Sequence, residues 1–309
     1  MLDIPYLNAE KVEELFPIHE AIAVIETAFL DYQAGLSRMP EKVYLDLPEF
    51  QGDFRAMPAF CARHKLAGVK WVNSHSQNYK KGLPAVMALL IVNDPETGAP
   101  KAILDATNLT GIRTGAAGAV AVNYLARKNA KIAAFVGAGK QAIYQALAIG
   151  KVRDLEEIRF FDPSEHARKN FQETFPKAKV FNDIKPCVSN SDIVVTTTPS
   201  RQPIVQRDWI SRGTHINAVG ADAPGKQELD PGLLEQATVI VDDVEQARHS
   251  GEINLSPDCK ISGTLGQVIA KKVSGRISDD QITVFDSTGL AIQDVASAGW
   301  ILGKFFRAD

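Results

Sequence analysis

The chain is poor in cysteine: Cys61, Cys187 and Cys259 are the only three in 309 residues. They are odd in number and far apart, which argues against both a disulfide framework and a zinc knuckle. No apolar run approaches the ~20 residues of a membrane-spanning helix, so no membrane segment is expected. Neither sign of charge dominates. The 34 Lys and Arg against 37 Asp and Glu leave a net charge of −3, a balance that argues against a surface built for nucleic acid or an anionic membrane. The opening segment, Met1-Leu2-Asp3-Ile4-Pro5-Tyr6, lacks the basic and apolar regions of a secretion signal, so the cytoplasm is the expected compartment. The six histidines show no metal-ligand spacing, and no metal site is expected. No Gly-x-Ser-x-Gly or other nucleophile motif occurs. His249-Ser250-Gly251-Glu252 reads as a solvated loop, and Asp242-Asp243 as a strand-end turn with a helix N-cap.

What is present is a glycine-rich turn in a telling place. Gly137-Ala138-Gly139-Lys140-Gln141-Ala142 directly follows the apolar run Lys131 to Val136, and an acid, Asp162, ends the next apolar run. Gly137 allows a sharp turn off a strand, Gly139 clears space for a pyrophosphate, and Ala142 keeps the following helix close to the sheet. A helix starting near Lys140 aims its free N–H groups and positive dipole end at phosphates. Asp162 can accept hydrogen bonds from both hydroxyls of an adenosine ribose and would repel a 2′-phosphate, so NAD is favoured over NADP.

At 309 residues the chain is long enough for two domains. Pro17 to Leu36 has helical spacing. Short β-like runs follow at 43–45, 54–60, 66–72, 86–92 and 101–104, separated by turn signals, and predict an antiparallel or mixed sheet. The pattern then alternates: helix 114–126, strand 132–136, helix 141–151, strand 158–161 and helix 164–174. Further strands are expected at 193–197, 215–219, 239–241 and 282–285. Such alternation predicts parallel strands covered by helices. An amphipathic helix, Gly289 to Phe306, is expected to return to the first domain. The boundaries so read are 1–112 with 287–309 for one domain and 113–286 for the inserted one.

Ligands of open α/β sheets sit beyond the carboxyl ends of the strands. Asp222 follows the run His215 to Ala221 at such an end, where an Asx turn is the alternative reading. Lys70 interrupts the apolar strand Leu66 to Val72. It either points to solvent by simple alternation or is partly buried with a lowered pKa, fit to handle a proton. Arg55 lies in a strand-like run, and Arg113 precedes the small-residue segment Thr114-Gly115-Ala116-Ala117-Gly118. That segment either lets backbone approach a phosphate or packs tightly against a neighbour. Each arginine is either a surface ion-pair partner or a two-pronged grip for a carboxylate.

Taken together, these segments resemble the ornithine cyclodeaminase/mu-crystallin family over essentially the full length, and within it the archaeal-type alanine dehydrogenases. The carrying segments include Met39 to Leu45, Arg55-Ala56-Met57-Pro58-Ala59, Val69 to His75, Lys81-Gly82-Leu83-Pro84 and Leu109 to Ala117. Thr214 to Asp222, Pro224 to Leu229, Gly251-Glu252-Ile253-Asn254 and Phe285 to Asp294 complete the set. The resemblance implies an α/β protein in which a Rossmann dinucleotide-binding domain is inserted into an α+β substrate and dimerisation domain. It implies a homodimer, NAD as cofactor, and a small amino acid or keto acid as substrate. Lys70 and Asp222 match catalytic positions, and Arg113, Lys42 and Arg55 match positions for the substrate. Arg113, Thr114, Gly137, Gly139, Lys140, Gln141, Asp162, Thr198, Val219, Gly220, Ala221, Lys226 and Ser287 match positions for the cofactor. Cyclodeaminases that take ornithine carry an acid where this chain has Arg55, and Thr where it has Ala85. The expected reaction is oxidative deamination of a small L-amino acid, alanine first, and its reverse. Ornithine cyclodeamination, cyclic ketimine reduction and a mu-crystallin-like nucleotide-dependent binding protein are the alternatives.

Overall fold

The chain folds as two compact units, Met1–Arg113 with Leu290–Asp309, and Thr114–Gly289; the computed structural model describes residues 3–308. The first unit contains strands β1 (Tyr6–Leu7), β2 (Ser37–Arg38), β3 (Val43–Leu47), β4 (Gly52–Cys61), β5 (Leu66–His75), β6 (Ala88–Asn93) and β7 (Pro100–Asp105). They form one sheet in the order β1-β7-β6-β5-β4-β2, with β3 also on β4. Only β1 joins in parallel, against β7, so the sheet is mixed. β4 and β5 pair along their whole length, from Gly52 opposite His75 to Cys61 opposite Leu66. Alternation sends Arg55, Met57, Ala59 and Cys61 to a buried face. Helix Ala291–Ala308 covers that face, packing on both β4 and β5, and Ile18–Gln33 packs on that helix and on β2. Val43, Leu45, Trp71, Leu89 and Ile91 stand exposed on the other face. The short helix Ala9–Leu15 and strands β1 and β2 are too brief to carry a periodicity and were not expected.

The second unit holds β8 (Ile132–Val136), β9 (Glu157–Phe161), β10 (Lys179–Val180), β11 (Ile193–Thr196), β12 (Arg201–Val205), β13 (His215–Ala218), β14 (Gln227–Leu229), β15 (Thr238–Val241), β16 (Ile261–Thr264) and β17 (Thr283–Asp286). Eight of these make a sheet ordered β10-β9-β8-β11-β13-β17-β15-β16, while β12 and β14 pair separately. Every pairing in the larger sheet is parallel. Its central strands are buried end to end, as expected where helices cover both faces. Phe135, Phe160 and Phe171 fill one core, and Val194, Ile216, Leu233 and Val284 the other. Running outward from β8, the strands β10-β9-β8-β11-β13 follow the order of a Rossmann sheet, with its topological switch between β8 and β11, and β17 then enters between β13 and β15.

One boundary departs from expectation with a consequence for the site. The helix expected from Thr114 begins at Thr107, where the Thr107 N–H donates to the Asp105 carboxylate at 2.8 Å. Arg113 and Thr114 therefore lie inside a helix and not at its start. Backbone N–H groups there are spent within the helix, which removes the reading in which this segment offers them to a phosphate. The small residues serve close packing instead: a Cβ on Gly115 would strike the Tyr144 carbonyl, and one on Gly118 the Gln145 side chain.

Candidate active site

In the first unit, β5 resolves the ambiguity over Lys70. Its neighbour Trp71 is the exposed residue, at 43%, and Lys70 is fully buried. Lys70 Nζ lies 2.9 Å from Asp294 Oδ1 and 2.8 Å from Oδ2. The same carboxylate accepts from Arg113 Nε at 3.1 Å, while Arg113 Nη1 donates to Gln293 Oε1 at 2.8 Å. Burial, aided by the Arg113 guanidinium and more weakly by Lys42, lowers the Lys70 pKa to about 7 against the upward pull of Asp294. A lysine so placed can exchange a proton near neutrality, where an ordinary one cannot.

Lys42 and Arg55 are also buried. Arg55 donates from Nε and Nη2 to the two oxygens of Asp53 at 2.7 and 3.2 Å, and its guanidinium lies 5.5 Å from the Tyr44 ring centroid. The register sets Arg55 opposite Val72 and Met57 opposite Lys70, so Arg55 and Lys70 project from the same face two positions apart. Arg55 is held by Asp53, and Arg113 shares Asp294 with Lys70. Buried cations of this density suit a ligand that brings a carboxylate.

Asp294 and Gln293 are the residues that sequence reasoning passed over. Both sit in the first turn of Ala291–Ala308, where an acid reads as an ordinary dipole partner. The available signal was their place within Leu290-Ala291-Ile292-Gln293-Asp294-Val295, a run otherwise made of core residues. Gln293 Nε2 is buried without a hydrogen-bond partner, the kind of orphan donor that a bound ligand satisfies.

The second unit carries the glycine turn and the strand-end residues. Gly137 follows β8 with φ +93°, a left-handed conformation that favours glycine, and a Cβ there would come within 2.8 Å of Thr197 Oγ1. Gly139 caps the helix Lys140–Ile149 with no side-chain hydrogen bond, and a Cβ on it would enter open space. Gly139 thus supplies no side-chain cap and leaves a cleared volume at the helix start, which fits a dinucleotide pyrophosphate. Asp162, after β9, accepts from the Ala138 N–H and the Ser164 N–H, both at 2.8 Å. Each oxygen retains a lone pair for a ribose hydroxyl, and the acid also fixes the turn itself.

Thr198 follows β11, Val219, Gly220 and Ala221 follow β13, and Ser287 follows β17, so all lie at the carboxyl ends of parallel strands. Lys140 and Gln141 open the helix after the turn. The Thr114 carbonyl accepts from Gln145 Nε2 at 2.9 Å, which makes Thr114 a packing partner of that helix. Asp222 and Lys226 are joined directly, Nζ to Oδ1 at 2.6 Å. Sequence reading gave them separate tasks and did not anticipate the pair.

Residues 5–307 match the model of the ornithine cyclodeaminase/mu-crystallin family. Over 300 residues the chain is 50% identical to the alanine dehydrogenase of Archaeoglobus fulgidus, covering 94% of this chain and 92% of that protein. An archaeal alanine dehydrogenase dimer with bound NAD has the same fold, with a TM-score of 0.92 at 46% identity over 99% of this chain and 97% of that one. The Thermococcus litoralis Δ1-pyrroline-2-carboxylate reductase, in complex with NADH and L-proline, gives a TM-score of 0.95 at 33% identity over 99% and 98%.

Proposed function

The chain belongs to the ornithine cyclodeaminase/mu-crystallin family, and from that premise we propose that it is a dehydrogenase of a small L-amino acid, with alanine the first candidate. It is an enzyme, and its cofactor is NAD. The observation that carries the reading is the fully buried Lys70, held by Asp294 beside Arg113. The half-identical alanine dehydrogenase and the basic Arg55 support a short substrate whose charge is a carboxylate. A diamino acid would meet like charge at Arg55.

In the proposed reaction L-alanine, water and NAD⁺ give pyruvate, ammonium, NADH and a proton. NAD, when bound, would be held by its pyrophosphate at the glycine turn and would supply the acceptor for the hydride that leaves the amino acid Cα. Arg113, with Arg55, binds the substrate carboxylate and thereby orients Cα. Lys70 in its neutral form takes a proton from the water that attacks the imine carbon, and Asp222 shares in that proton transfer. Lys42 adds positive charge for the substrate carboxylate. Gly137, Gly139, Lys140, Gln141, Asp162, Thr198, Val219, Gly220, Ala221, Lys226 and Ser287 are assigned to the cofactor. Arg113 and Thr114 are assigned to the cofactor as well, through their side chains, since their backbone N–H groups lie within the helix.

Lys70→Ala is the deciding variant. Net NADH formation from L-alanine should fall by about 10³-fold, with NADH affinity within about twofold of the unsubstituted protein. An active Lys70→Ala protein would sink the assignment. The likeness to the pyrroline-2-carboxylate reductase supports a second reading, reduction of a cyclic ketimine. A panel of amino acids, keto acids and cyclic imines, followed by nicotinamide absorbance, separates the two. A cyclodeaminase would release ammonia without net NADH. Self-association is proposed through the exposed apolar face formed by Val43, Leu45, Trp71, Leu89 and Ile91, a patch that solvent alone rarely faces. Sedimentation of Trp71→Glu against the unsubstituted protein tests it, a dimer becoming a monomer.

A further inference from the structure

The second unit buries four carboxylates that the reaction does not use: Glu228, Glu252, Asp286 and Asp242. Three of them form a relay in which each acid grips the backbone of the next. Asp286, at the end of β17, accepts from the Glu252 and Ile253 N–H groups at 3.1 and 3.3 Å. Glu252 accepts from the Glu228 and Leu229 N–H groups at 2.9 and 3.1 Å. Glu228 then reaches two loops at once. Its Oε1 accepts from the Thr198 N–H at 2.6 Å and the Thr198 hydroxyl at 2.7 Å, and its Oε2 from the Gly220 N–H at 2.9 Å. Separately, Asp242 holds the loop after β17, accepting from the Thr288 and Gly289 N–H groups at 2.7 Å each.

Two glycines make room for this relay. A Cβ on Gly220 would lie 2.5 Å from the Glu228 carboxyl carbon, and a Cβ on Gly251 would strike Asp286 Oδ2. Glu228-Leu229 and Gly251-Glu252, which the reaction leaves without a task, are therefore parts of one device. Among the described residues no group of His, Cys, Asp or Glu is disposed to hold a metal ion, so the acids act on backbone and not on a cation. Burial raises the Glu228 pKa, while the hydrogen bonds from Thr198 and Gly220 pull it down. Glu252 is pushed well up, by burial first and then by Glu228 and Asp286.

We infer that Glu228, backed by Glu252 and Asp286, is a positioning residue for the dinucleotide, holding the loops after β11 and β13 in the shape that receives it. The inference rests on the assignment of Thr198 and Gly220 to the cofactor. A carboxylate accepting several backbone N–H groups in a dry site is stiffer than a loop–loop contact and costs little reorganisation when ligand arrives.

Glu228→Gln tests it, because the amide keeps one acceptor for Thr198 and turns a donor toward the Gly220 N–H. NADH affinity by fluorescence titration should weaken about tenfold, and KM for NAD should rise while kcat changes by less than about twofold. Glu252→Gln touches neither loop and should weaken NADH about threefold in the same direction; it decides the matter if Glu228→Gln does not fold. A merely structural role would lower the melting temperature of both variants and leave NADH affinity unchanged, which overturns the inference alone. Failure of the unsubstituted protein to bind NADH removes the cofactor assignment and this inference with it.

Discussion

The two units hold their buried ionisable groups in different ways. The first buries cations, Lys42, Arg55, Lys70 and Arg113, and holds Arg55 through Asp53 and both Lys70 and Arg113 through Asp294. The second buries Arg153 and the carboxyl groups of Asp242, Glu228, Glu252 and Asp286, and holds each carboxyl through backbone N–H groups. A cation on a side-chain carboxylate can exchange that partner for a ligand carboxylate of like charge. A carboxylate threaded by backbone N–H groups has no such exchange open to it, and it sets loop shape instead. One arrangement suits a site whose occupant turns over, the other a frame that must persist.

The largest break in this comparison should come from Asp294→Asn. It leaves Lys70 and Arg113 without their shared anion, so stability should drop by about 3 kcal/mol and kcat/KM by about 10²-fold, read by denaturant unfolding and steady-state rates. The pH profile carries a sign as well. In the proposed reaction neutral Lys70 is the working form, so kcat/KM for deamination should rise with pH through about 7. Asp294 raises the proton affinity of Lys70, so its removal should move that midpoint lower. An unmoved midpoint would mean that Lys70 is not the titrating group.

Gly220→Ala attacks the other unit. Its Cβ would meet the Thr198 carbonyl and the Glu228 carboxyl group, and overpacking of this kind costs about 1–3 kcal/mol. NADH affinity should fall with stability, whereas in Asp294→Asn it should hold. Equal loss of NADH binding in the two variants would dissolve the division of labour. Arg55→Lys should act more gently, keeping the charge but losing the planar fork, with substrate KM up about tenfold and NADH binding unchanged.

The pH dependence of stability separates the units as well, and the two should run in opposite directions. Lys70 drops from 10.5 to about 7 on folding. The unfolded chain therefore binds more protons between those values, and stability from this group rises with pH across that window. Asp286, raised by burial from 3.8 to about 8, binds its proton more tightly in the folded protein. Its contribution falls as pH climbs from about 4 to 8. Unfolding curves of Lys70→Met and Asp286→Asn should each lose one of these slopes and keep the other.

Much of the fold was legible. Strands β8, β9, β11, β13, β15 and β17 fall within one or two residues of expectation, because a parallel strand covered on both faces must be a continuous apolar run. Strands β10, β12, β14 and β16 are short or polar, stabilised by pairing with distant segments, and carry no period to read. The glycine turn was legible because its requirement is local: a left-handed residue, a cleared approach and a helix start. The inward direction of Lys70 was not, since Val69 and Trp71 flank it with apolar residues whichever way it points. Asp294 was missed because its partner Lys70 is 224 residues away in the chain.

By itself, then, the amino-acid order determined the alternation of strand and helix, the glycine turn with the acid after the next strand, and the kinship of the whole chain. These follow from backbone sterics and periodic burial, which act over a few residues. Only the tertiary structure decided which charges are buried and what holds them: Lys70 on Asp294, and Glu228 across Thr198 and Gly220. A charge in a dry interior is tolerated only beside partners that compensate its lost hydration, and folding alone brings those partners from distant parts of the chain.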